Sequence, residues 1–239
     1  MDWVLVLVIS SLFFAAFLQS ATGFGMAIVC MALLPLVIPV SDAIAFVSLA
    51  CFAVTVVIML VNRGGLSWKK AGPLAIGMVV GIPLGFFGLR WLDSDGVLRV
   101  LGVVLVAIAL WELIREFFGA LSLPDWTGGA FGLLGGLLAG GFNVGGPALV
   151  VFTHSRSWSK VEIIATLQSV FLLGGITRIA LMIPAGDITA ERWRYVIWAI
   201  PFGIAAVFLG KLVLDRIPQA WFRRIVFGMI LLIGVRYLL

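Results

Sequence analysis

Apolar residues run through this chain in long uncharged stretches cut by short polar ones, and the cuts set the length of the helices it predicts. From Trp3 to Ser41 there is no charged residue. One continuous helix there would reach roughly 57 Å, nearly twice the hydrocarbon thickness of a bilayer. The stretch must break, and Gln19-Ser20-Ala21-Thr22-Gly23-Phe24-Gly25 is the polar, glycine-bearing place for it, leaving arms at 3–18 and 26–38. Three plainer spans follow at 43–61, 71–89 and 97–117, separated by Arg63, Lys69 and Lys70 and then by the turn Asp93-Ser94-Asp95-Gly96. After Pro124 the pattern restarts with a glycine-rich arm at 128–140, a break, a short arm at 147–153, and spans at 163–183, 195–214 and 221–238.

The second break, Gly140-Gly141-Phe142-Asn143-Val144-Gly145-Gly146-Pro147, lies in a stretch from Trp126 to Ser155 with no formally charged residue. Glycine loosens the backbone, and Pro147 suits the first turn of a new helix, where its missing N–H has no partner anyway. One helix is expected to end near Gly140 and another to start near Gly146. The start of the second presents unpaired N–H groups and the positive end of a helix dipole, with no bulky side chain in the way, which suits an anion. The competing explanation is that these glycines only let helices pack closely.

The restart is an internal repeat. Placing Gly25 on Gly145 gives an offset of 120 and sets Ser48 opposite Gln168; at an offset of 122, Gly81 meets Gly203 and Gly88 meets Gly210. Two halves, 1–120 and 126–239, each with one interrupted segment (3–38 and 128–153) and three spans, are the pattern of a secondary transporter. If each break returns the chain to the face it came from, loops 62–70, 115–125, 154–160 and 211–224 share one face and hold 10 Lys and Arg, against 5 elsewhere outside the spans. The positive-inside rule then favours an inverted repeat with both termini outside. The expected fold is an all-α polytopic membrane protein of two inverted-topology repeats.

Composition agrees: hydrophobic residues make up 63% and charged residues 11% of the chain, and mean hydropathy is +1.22. A chain of this length holds about eight to ten membrane segments, so function belongs within the lipid bilayer. The net charge of +5 sits in short loops and reads as topology signal; no nucleic-acid partner is expected. Cys30 and Cys51 lie in apolar segments without metal-ligand or disulfide spacing. Met1-Asp2-Trp3 lacks a basic n-region, so the first helix is expected to be a retained membrane helix; the expected location is a bacterial inner membrane.

Arg178 is the charged residue well inside a span; it either attracts an anion or snorkels to the outer interface. Glu112 shares its helix end with Arg115 and Glu116 and can sit at the interface, and His154 can be a solvated loop residue or exchange a proton. Neutral polar residues group better: Gln19, Ser20 and Thr22 with Gly23 and Gly25 at the first break, Asn143 with Gly145 and Gly146 at the second, and Ser48 and Gln168 on equivalent helices. Together they describe a site that holds a small anion mainly through N–H and O–H donors. An anion channel built on the same breaks is the alternative. An intramembrane enzyme finds little support, since the chain has no H-E-x-x-H, no G-x-S-x-G and no paired intramembrane carboxylates. No cofactor or metal is expected, a proton is a candidate co-substrate, and the oligomeric state is left open.

Thr22-Gly23-Phe24-Gly25 and Asn143-Val144-Gly145-Gly146-Pro147, followed by Arg178-Ile179-Ala180-Leu181 and Gly186-Asp187-Ile188-Thr189, resemble the motifs of the sulfite exporter TauE/SafE family over the whole chain. That resemblance implies movement of sulfite, thiosulfate or organosulfonates, often outward.

Overall fold

The computed structural model describes residues 3–61, 68–114, 123–213 and 219–239. Among them the ordered elements are all helical: α1 (Trp3–Thr22), α2 (Met26–Leu33) with a 3-10 turn at Leu34–Leu36, α3 (Val40–Val61), α4 (Trp68–Leu89), α5 (Ser94–Ile114), α6 (Thr127–Phe142), α7 (Gly146–His154), α8 (Lys160–Met182), α9 (Ala190–Val213) and α10 (Gln219–Leu238). Six of these are long and apolar enough to cross a membrane. An apolar chain in lipid has little other choice, because hydrocarbon offers no partners for backbone N–H and C=O groups.

Helix boundaries fall a little outside the apolar runs, because polar residues build the first turns. At the start of α8 the Ser159 hydroxyl accepts the Glu162 N–H at 3.3 Å while Glu162 Oε2 accepts the Ser159 N–H at 2.9 Å, a reciprocal cap that starts the helix before its first apolar face. Asp42 and Asp95 occupy the first turns of α3 and α5, where a carboxylate favours the helix dipole. The first arm of each break runs longer than expected, whereas the arm expected at 26–38 is an α-helix only to Leu33. α1 continues through Gln19 and Ser20, and α6 continues through Gly140 and Gly141 to Phe142. Gly140 stays helical because it lies against α4: a Cβ there would run into the Ile82 carbonyl oxygen.

Glycine sets the tightest packing. A Cβ on Gly81 of α4 would fall 2.8 Å from the Leu137 nitrogen and 2.9 Å from the Gly136 Cα of α6, and one on Gly85 would reach 2.9 Å from the Gly141 nitrogen. The two helices therefore lie backbone to backbone and run parallel. On the other side α9 runs parallel to α1, with Gly203 against Leu12 and Gly210 against Phe17 and Ser20. α3 packs against α8, and α5 against α10 through Gly102 and Gly234. Renumbering α1–α5 as α6–α10 maps this set of neighbours onto itself: the α4–α6 pair becomes α9–α1, while α3–α8 and α5–α10 map onto themselves.

Ion pairs gather the loops at two ends. At one, Asp42 at the start of α3 meets Arg192 at 2.7 Å, and Arg90 after α4 meets Asp187 after α8 at 2.5 Å. At the other, Lys70 at the start of α4 meets Glu162 at 2.5 Å, and Asp125 before α6 meets Arg156 after α7 at 2.5 Å. Because α1 parallels α9, it leaves from the first end; α3 also leaves from the first end, so α2 brings the chain back. In the same way α6 leaves the second end with α4, and α7 returns to it.

Candidate functional site

Both interruptions turn on a left-handed residue. Gly23 has φ 80° and Asn143 has φ 61°, and they stand 120 residues apart in the chain. Asparagine tolerates this conformation better than other side chains, and glycine tolerates it without strain. Each break docks on the long helix of the other half. Gln168 Nε2 of α8 donates to the Gly23 carbonyl at 2.9 Å, and Asn143 Nδ2 donates to the Val47 carbonyl of α3 at 3.4 Å. Gln19 Oε1 accepts the Met26 N–H at 3.3 Å, satisfying the first amide of α2.

Between the breaks lies a cavity of about 40 Å³, room for roughly three water-sized groups. Gln19, Gly25, Ser48, Asn143, Gly145 and Gly146 line it, together with Cys51, Thr55, Phe171 and Gly175. Four pairs in this lining, Gln19 and Ala139, Gly25 and Gly145, Cys51 and Phe171, Thr55 and Gly175, are each separated by 120 residues. The cavity lining thus brings together positions 120 residues apart. Thr55 and Cys51 were not among the candidates, although extending the Ser48–Gln168 offset by one and two turns finds both.

The nominated residues divide by task. α7 begins with Gly146 and Pro147 and has no side-chain cap, so its first N–H groups have no partner within the helix. At Gly146 an added Cβ would meet Phe24 Cβ at 3.4 Å and Phe171 Cζ at 3.5 Å, which is ordinary contact; at Gly145 it would run into the Gly135 carbonyl oxygen and approach Ala139 Cβ at 3.0 Å. Gly145 is therefore needed for packing on α6, while Gly146 is a bare surface beside the cavity. Ser20 donates to the Phe17 carbonyl at 2.8 Å against Gly210. Thr22 ends α1, and its side chain lies outside the described residues.

Arg178 is 2% exposed. Its Nε donates to Ser48 Oγ at 2.7 Å, its Nη1 to the Ala139 and Gly140 carbonyls, and its Nη2 to the Gly141 carbonyl at 3.2 Å. These are the last carbonyls of α6, where a cation offsets the negative end of the helix dipole. Ser48 in turn donates to the Ile44 carbonyl at 2.7 Å, so its one proton is spent. Arg178 does not line the central cavity. It lines a second one of about 290 Å³, which also takes in Arg90, Asp187 and Phe86. Glu112 is buried on α5 and lines neither cavity; Arg115 and Glu116 lie outside the described residues. His154 closes α7 with its Nδ1 3.0 Å from the Val150 carbonyl.

A family model described as "Sulfite exporter TauE/SafE" matches residues 8–237. The chain is 28% identical over 230 residues to the "Probable sulfite/organosulfonate exporter TauE" of Cupriavidus necator, covering 93% of this chain and 89% of that one. It is 31% identical over 172 residues to the "Probable inner membrane transporter protein TsaS" of Comamonas testosteroni, covering 68% and 70%. No solved structure matches.

Proposed function

The chain belongs to the sulfite exporter TauE/SafE family, and from that premise we propose that it is a secondary transporter moving a small sulfur oxyanion or organosulfonate outward across the bacterial inner membrane. In this reading 1–120 and 126–239 are inverted repeats, α1–α2 and α6–α7 are re-entrant, and alternating access works around the cavity between their tips. The observation that carries it is the cavity lining itself. An uncapped helix start and residues paired across the 120-residue repeat meet in one small volume, as a two-fold rocking mechanism requires.

The loop ends support the topology. The end gathering Lys70, Glu162, Asp125 and Arg156 belongs to the loops that hold 10 of the Lys and Arg residues, against 5 for the other end, which supports a cytoplasmic position for it. Chemically, an anion leaving water must find donors. The α7 N–H groups and the Asn143 amide supply them, while Arg178 cancels the α6 carbonyl dipoles that would repel it. Among the described residues the lining of the central cavity contains no carboxylate or histidine, which supports uniport or anion exchange over proton coupling at that point.

Purified protein in liposomes, loaded with sulfite and assayed for counterflow of labelled sulfite, tests this. Saturable exchange is the expected result. A large conductance that does not saturate would replace the carrier with a channel, and the absence of flux for any sulfur oxyanion would refute the reading.

A further inference from the structure

The larger cavity is a site in its own right. It opens toward the end that carries Arg90 and Asp187, and it is about seven times the size of the central one, 290 Å³ against 40 Å³. Its polar groups are concentrated. The Arg178 guanidinium lies at its floor and the Arg90 guanidinium at its mouth, with Phe86 between them: the Phe86 ring centre is 5.8 Å from the first and 4.6 Å from the second. A guanidinium has five N–H groups. Those of Arg178 make four hydrogen bonds among the described residues, and one N–H on Nη2 is left over. Leu89 and Met182 supply apolar wall.

We propose that this vestibule binds an anion with a compact oxyanion head and a short apolar tail, the chemistry of a short-chain alkylsulfonate. The head takes the spare N–H of Arg178 and the charge of Arg90, and the tail lies on Phe86, Leu89 and Met182. The central cavity has room for roughly three water-sized groups, so a four-carbon tail lies in the vestibule and not there. Asp187 competes for Arg90, since its Oδ2 holds Arg90 Nη2 at 2.5 Å; the ligand must displace that carboxylate. The sulfonate class of the ligand rests on the proposed function, while the site itself lies apart from the central cavity.

Calorimetric titration of butane-1-sulfonate into detergent-solubilised protein tests it, with sulfite as the comparison. Asp187→Asn frees Arg90 and is expected to tighten butane-1-sulfonate binding several-fold, while Arg90→Gln weakens it by roughly tenfold because Asp187 is left unpaired beside the head. Arg90 and Asp187 are both partly exposed, so neither change threatens folding. Gly146→Ala is expected to leave butane-1-sulfonate binding alone while weakening sulfite. If Arg90→Gln and Asp187→Asn shift affinity in the same direction or not at all, or if Gly146→Ala abolishes butane-1-sulfonate binding, the vestibule site is overturned. If only the sulfite arm fails, the central site falls and the vestibule stands.

Discussion

Removing Arg178 is expected to unfasten the second break, and the cost follows from its four hydrogen bonds. Arg178→Met leaves the carbonyls of Ala139, Gly140 and Gly141 facing apolar surface and leaves Ser48 without its charged donor. Each buried acceptor left without a donor costs about 1–3 kcal/mol, so the loss is expected to reach several kcal/mol. Arg178→Lys keeps the charge, yet a single ammonium cannot span Ser48 and the α6 carbonyls as the planar fork does, so about half of that loss should remain. Ser48→Ala on its own removes one hydrogen bond to a charged group, about 1.5–3 kcal/mol. Combined with Arg178→Met it should add much less than that, because the two side chains share the bond. Unfolding in mixed micelles titrated with SDS, followed by tryptophan fluorescence, gives the three losses and the cycle. Arg178→Met within about 0.5 kcal/mol of the parent, the ordinary range of a surface change, would refute the capping role. Full additivity with Ser48→Ala would refute the shared bond.

Two further outcomes follow from placement. Cys51 lines the central cavity and Cys30 is fully buried on α2, so a small thiol reagent should modify Cys51 alone. Methanesulfonate should slow that reaction, and equal labelling with and without it would put the anion elsewhere. Ser94 and Ser157 are both exposed, at opposite ends of the helix set; single cysteines there should react from the outside and from the cytoplasm respectively, and labelling from the same side would remove the re-entrant topology.

Much of the fold was readable from charge-free lengths. The stretch from Trp3 to Ser41 could not be one helix, and at the two breaks the backbone turns left-handed at Gly23, Gly25 and Asn143. The arms ran past Leu18 and Gly140 because what holds them helical, the parallel seats on α9 and α4, is tertiary and leaves only scattered glycines in the sequence. The site was less legible. Polar residues at a break read equally as ligands or as carpentry, and in the structure Gln19 Oε1 and Gln168 Nε2 hold the first break while Ser48 accepts from Arg178 at the second. Arg178 was open between snorkelling and anion attraction; its guanidinium instead turns inward onto the carbonyls of a helix 37 to 39 residues upstream. Gly145 and Gly146 look alike in sequence, and only the closeness of the Gly135 carbonyl separates them.

That separation supplies the most direct test of the central claim, that the anion is held by the bare start of α7. A methyl at Gly146 meets only ordinary contacts at 3.4 Å and beyond, and replacing glycine in a helix is neutral or mildly favourable for stability. It does stand between an anion and the N–H groups, where one lost charge-assisted hydrogen bond is worth about 1.5–3 kcal/mol, roughly tenfold to a hundredfold in affinity. A methyl at Gly145 meets α6 backbone and should cost about 1–3 kcal/mol of stability through overpacking. Measuring sulfite affinity and ligand-free stability on Gly146→Ala and Gly145→Ala together decides the matter. The account predicts that Gly146→Ala loses affinity at unchanged stability while Gly145→Ala loses stability; parental affinity in a stable Gly146→Ala protein would contradict it.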